Sequence, residues 1–145
     1  MLRHKPGAWW WPIRIVFGLF FAHVALTHRE LDEKGSKGLQ RFASTAFPFV
    51  EKMTPLQFRN AMVAGESATA ASLLVPGLPA VLGGAALTGF GSSLLAVYWK
   101  TPMLRKSENS IRPNDMGLGI AKDSWMLAAG LTVLIDALVS SRQSR

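Results

Sequence analysis

Apolar and polar residues separate into long blocks along this chain. Four apolar stretches, residues 9–27, 55–75, 79–99 and 114–139, alternate with short segments that hold nearly all the charge. About 20 apolar residues at 1.5 Å per residue match the ~30 Å hydrocarbon core of a bilayer. The pattern predicts an all-α, polytopic membrane protein. It has one domain over residues 1–145 and four transmembrane helices forming a bundle. An interfacial amphipathic segment lies between the first two.

The boundaries of these stretches carry helix signals. Trp9, Trp10 and Trp11 sit where an aromatic belt would meet the headgroups, and Arg14 follows about one turn inside. Thr54-Pro55-Leu56-Gln57 reads as a capping box with proline at the first helical position. Val75-Pro76-Gly77-Leu78-Pro79 breaks the second stretch into a tight turn. Tyr98 and Trp99 mark the far boundary of the third, and Asn114 is placed to cap the fourth. Small residues crowd the second and third stretches, including Ala61, Gly65, Ala68, Gly84 and Gly91. Such residues let membrane helices approach closely.

The connection over residues 29–54 has its own periodicity. Leu39, Phe42, Ala43, Ala46, Phe47 and Val50 recur at three- and four-residue spacing, with Phe49 beside them. Arg41 and Lys52 lie off that stripe. The spacing predicts a short helix lying in the membrane interface, ended or divided by Pro48.

Charge adds a direction. Net charge is +7 and there is no cysteine, which removes disulfides and thiolate chemistry. Anchoring to anionic membrane lipid accounts for the excess. No basic stripe is interleaved with exposed aromatics, so nucleic acid is not an expected partner. Of the 16 Lys and Arg residues, 11 fall on the side of the first and third connections. That bias predicts that loops 29–54 and 100–113 are cytoplasmic. Arg3 and Lys5 precede the first stretch without a cleavage site after it, so it reads as an uncleaved span.

Candidate chemistry is sparse, and it centres on Glu66. A charged side chain at the middle of a membrane helix costs roughly 2.5–3.5 kcal/mol on insertion scales. Two roles fit it: a functional carboxylate for a proton, a cation or a quinone headgroup, or a structural contact that holds helices in register. His23 is the expected partner, with Arg14 behind it. Arg14 either pairs with an acid in the bundle or anchors to lipid. Lys122 and Asp123 satisfy each other or face a water-filled vestibule, and Asp136 reaches the far headgroups. His23 and His28 stand about 140° apart on a regular helix, so no metal site is expected. No nucleophile triad, paired catalytic carboxylates or phosphate loop is present.

These residues carry a family resemblance. Arg14-Ile-Val-Phe-Gly-Leu-Phe-Phe-Ala-His23 resembles the opening helix of the DoxX family of small four-helix bacterial membrane proteins. Gly65-Glu66, leading to Pro76-Gly77, resembles its second helix and turn. Lys122-Asp-Ser-Trp-Met-Leu-Ala-Ala-Gly130 resembles the start of its last helix. The long first connection and the Lys122-Asp123 pair depart from the family pattern. The resemblance implies a cytoplasmic-membrane protein linked to redox physiology. Some relatives are described as the small membrane subunit of a thiosulfate:quinone oxidoreductase, or as partners of thiol and superoxide enzymes.

Three functions follow as expectations. The first is a non-catalytic accessory or scaffold subunit of a larger respiratory or cell-envelope membrane complex, with no cofactor. The second is a quinone-binding subunit of a redox enzyme. The third is a small transporter.

Overall fold

The computed structural model describes residues 10–143, with side chains through Ser141. Trp9 and the terminal charges Arg3, Lys5 and Arg145 lie outside these residues, as does the side chain of Arg142. Among the described residues the chain is helical, with no β-strand and one isolated bridge between Arg105 and Pro113. Four long helices, α1 (Trp11–Arg29), α3 (Pro55–Leu74), α4 (Ala80–Lys100) and α6 (Ser124–Gln143), run alongside one another. The short α2 (Glu33–Ser44) and a 3₁₀ turn (Pro48–Lys52) join α1 to α3, and the one-turn α5 (Leu118–Ala121) leads into α6.

Three segments are long and apolar enough to cross a membrane: Trp11–Arg29, Ala80–Lys100 and Leu118–Ser141. Much of their surface is apolar and faces outward, including Val16, Leu19, Leu82, Trp125 and Ile135. This inverts the arrangement of a water-soluble bundle and marks a membrane protein.

Local signals explain where the elements begin. Thr54 Oγ1 accepts from Gln57 N at 3.2 Å, while Thr54 N donates to Gln57 Oε1 at 2.9 Å. This is the capping box read from the sequence, with Pro55 at the first helical position. Asp32 caps α2, accepting from Gly35 N at 2.7 Å. The helix stops before Pro48, as the spacing predicts. Gly77 adopts φ +88°, which closes the α3–α4 turn and is open to glycine. The fourth apolar stretch differs from expectation. Asn114 Nδ2 donates to Met103 O at 2.7 Å, and its Oδ1 accepts from Gly117 N at 2.9 Å. Its backbone carbonyl also accepts from Leu118 N at 2.9 Å, so Asn114 caps the turn that opens the helix, as expected; the departure is that helical residues begin only at Leu118 and are interrupted at Lys122–Asp123 before α6.

The long helices pack antiparallel in sequence order. α1 lies on α3 and α4 lies on α6 over long contacts; α3 and α4 touch much less. Phe21, Ala70, Leu73, Leu87 and Met126, one or two from each long helix, form the common core. α4 and α6 approach through glycine. A Cβ at Gly91 would lie 2.7 Å from Leu127 N, and one at Gly84 would lie 2.7 Å from Leu134 N. At Gly130 it would lie 2.5 Å from Thr88 N. Both long connections share one end of the bundle, joined by a 3.2 Å hydrogen bond between Thr45 Oγ1 and Thr101 Oγ1.

Candidate functional site

Phase along α1 decides what meets Glu66. Gly18, Phe21 and Ala25 are its buried residues, and the next position on that face is 28. His28 Nδ1 and Glu66 Oε1 share a hydrogen bond of 2.7 Å across the α1–α3 interface. Glu66 is 2% exposed. Its Oε2 is also buried and has no hydrogen-bond partner among the described residues.

His23 is therefore not the partner: its side chain is exposed, five residues and about 140° away from His28 around the helix. The periodic stripe Gly18, Phe21, Ala25, His28 was the signal that could have chosen between the two histidines.

Arg14 pairs with no acidic side chain among the described residues. Its Nε donates to Leu73 O at 2.7 Å, and its Nη2 donates to Ser72 O and Val75 O at 3.3 Å each. These are carbonyls of the last turn of α3, which the helix itself leaves unpaired. The guanidinium also satisfies the negative end of the helix dipole. It lies over Trp10, 5.3 Å from the ring centroid. Trp10 is 2% exposed and donates from Nε1 to Asp136 Oδ2 at 3.1 Å. Trp10 thus plugs the bundle end, whereas Trp11 stays exposed in the manner of a belt residue. Asp136 turns inward to that tryptophan instead of reaching outward to headgroups.

Lys122 is exposed and Asp123 half-buried, with no salt bridge between them. They line a shallow depression with Phe17 and Trp125, between α1 and the start of α6. They stand apart from Glu66. Among the described residues, no group of three His, Asp or Glu side chains is arranged to hold a metal ion.

The apolar stripe of the first connection is divided. Val50 is buried, Leu39, Phe42 and Phe47 are half-buried, and Phe49 is 64% exposed. The fully buried residues of α2 are polar: Ser36 and Gln40. Gln40 Nε2 donates to Val50 O at 2.7 Å and to Met53 O at 2.8 Å, which pins the 3₁₀ turn to α2. Pattern reading passes over Gln40, because a glutamine off the apolar stripe looks like a solvated residue. Phe47 and Phe49 line one part of an open groove of about 500 Å³, whose walls include Phe58 and Met62 of α3 and Gly89 and Ser93 of α4.

No family model matches the chain, and neither does any curated protein or solved structure. The chemistry of the site therefore rests on the residues themselves. Arg14 and the His28–Glu66 pair join α1 to α3, Thr69 bonds within α3, and one oxygen of Glu66 is left over.

Proposed function

We propose that this protein is a four-span membrane protein of the DoxX type, serving as a non-catalytic accessory or scaffold subunit of a larger respiratory or cell-envelope complex. In this reading α3 is the fourth span, and α2 with the 3₁₀ turn forms the interfacial amphipathic segment. Loops 29–54 and 100–113 face the cytoplasm of a bacterial cell, following the excess of Lys and Arg at that end.

The ionisable side chains that turn into the bundle support this reading, because they join helices: His28 with Glu66, Arg14 with the end of α3, and Asp136 with Trp10. Intramembrane polar groups of this kind hold bundles together when the surrounding lipid supplies no hydrogen bonds. The test is purification from native membranes in a mild detergent. The protein co-purifies with a larger assembly under this reading. Elution as a lone monomer, with full yield and a cooperative melt, refutes it.

The unpartnered Glu66 Oε2 favours a second reading, a quinone-linked redox subunit in which that oxygen meets a quinone headgroup. Glu66→Gln and His28→Gln then slow quinone-linked oxidation in membranes at equal amounts of folded protein. An unchanged rate in both variants removes it.

A further inference from the structure

The weakest contact between consecutive long helices is also where the molecule has room. α3 and α4 are joined by a five-residue turn yet diverge enough to leave the groove of about 500 Å³. That volume lies within the ~300–1,000 Å³ of small-molecule sites.

Its lining states what it can accept. Two hydroxyls reach it, and both donate to their own helix: Thr69 Oγ1 to Gly65 O and Ser93 Oγ to Gly89 O, each at 2.8 Å. The other lining residues are aliphatic, aromatic or glycine. No side-chain donor is left to hold a polar ligand, so burying a polar group there would go uncompensated. A hydrocarbon chain meets no such cost.

Its length is also informative. The α4 wall runs from Ala85 to Val97, about 18 Å at 1.5 Å per residue. That is slightly more than half of the ~30 Å hydrocarbon core. The groove therefore runs about one leaflet deep. Its shallow end lies by Phe47 and Phe49, at the end of the bundle that carries both long connections. Exposed cations stand within three residues of the lining at that end: Arg41 before Ala43, Lys52 after Val50 and Lys100 after Val97. None of them makes a salt bridge among the described residues.

We propose that the groove is a lipid site. It holds one acyl chain of an anionic glycerophospholipid from the leaflet on that side, with the phosphate drawn to Arg41, Lys52 and Lys100. The inference rests on the bilayer placement of α3 and α4, and on no role for Glu66.

Gly89 gives a clean way to fill the groove, since a Cβ there meets no atom within 4 Å. The protein is reconstituted into vesicles of phosphatidylglycerol and phosphatidylcholine, extracted in mild detergent, and examined by native mass spectrometry. Wild type retains one phosphatidylglycerol in preference to phosphatidylcholine. Gly89→Phe lowers retention at least about tenfold, the loss expected when two or more methylene contacts are denied to the chain. Arg41→Glu with Lys52→Glu, both on the surface, abolishes the preference for phosphatidylglycerol and leaves the groove intact. Undiminished retention in Gly89→Phe at an unchanged melting temperature overturns the site. A preference that survives the charge reversal overturns the headgroup assignment. Retention of an isoprenoid quinone from native membranes in place of phospholipid overturns the choice of occupant. Resistance of the same protein to carbonate extraction separates failure of the groove from failure of the membrane placement.

Discussion

The two tight helix pairs of this bundle are held by different means. α4 meets α6 through absence of side chain: Gly84, Gly91 and Gly130 bring backbone against backbone. The hydroxyl on that contact, Thr88, bonds to its own helix and adds nothing across it. α1 meets α3 through polar groups, with Arg14 on the last carbonyls of α3 and His28 on Glu66. Membrane helices lack a hydrophobic force between them, because lipid is as apolar as leucine. Close packing and interhelical hydrogen bonds remain: α4–α6 relies on the first, and α1–α3 adds the second to a glycine approach of its own, since a Cβ at Gly18 would lie 2.5 Å from Leu74 Cγ, a side chain that can rotate away. The seam between the pairs has a glycine approach near its turn, Gly83 against Leu73, and beyond it the groove opens. Steric tolerance should therefore be lowest at α4–α6, chemical tolerance lowest at α1–α3, and both highest along the groove between α3 and α4.

Single substitutions test this contrast. The largest effect is expected at Gly91→Leu. The obstacle is the backbone of Leu127, which cannot rotate away, so the loss reaches or exceeds about 3 kcal/mol, the upper part of the overpacking range. Thermal unfolding in detergent, or failure to accumulate in membranes, reads it. His28→Ala comes next. It leaves Glu66 buried without its one partner, at about 1–3 kcal/mol, whereas His23→Ala on the exposed face changes stability by less than about 0.5 kcal/mol. Equal losses at the two histidines would erase the distinction between them. Arg14→Gln follows, at about 1 kcal/mol, through the uncapped end of α3. Protease sensitivity at the α3–α4 turn should rise with it. The smallest effect has the opposite sign. Gly89→Ala, two residues from Gly91, meets open space and raises stability by about 0.5 kcal/mol through lost backbone freedom in the unfolded chain. A loss at Gly89 as large as at Gly91 would show that the α3–α4 seam is closed.

Much of the helical architecture was legible as pattern. The capping box at Thr54 and Gln57, the Pro48 break and the Pro-Gly turn are local chemistry, and local chemistry acts wherever the chain goes. The close approach at Gly84 and Gly91 was legible as small residues, though not which helix they would meet. The site was harder. Glu66 stood out because a carboxylate in an apolar run is anomalous anywhere. Its partner depended on which face of α1 turned inward, a property of the packed pair. Two histidines five apart offered both answers, and only the phase set by Gly18, Phe21 and Ala25 separates them. The contacts of Arg14 were not legible for a related reason. Its partners are backbone carbonyls at the far end of another helix, which no side-chain pattern announces. Asn114 and Gln40 likewise act on backbone carbonyls of neighbouring loops.

Glu66 is above all a helix–helix contact, made through His28. A double-mutant cycle on His28→Ala and Glu66→Gln, with stability read in detergent or bicelles, decides whether the two side chains act together. The double variant is expected to be less destabilised than the sum of the singles by about 1 kcal/mol, within the range for residues in contact. Strict additivity, with full stability retained in Glu66→Gln, rules the contact out as a source of stability.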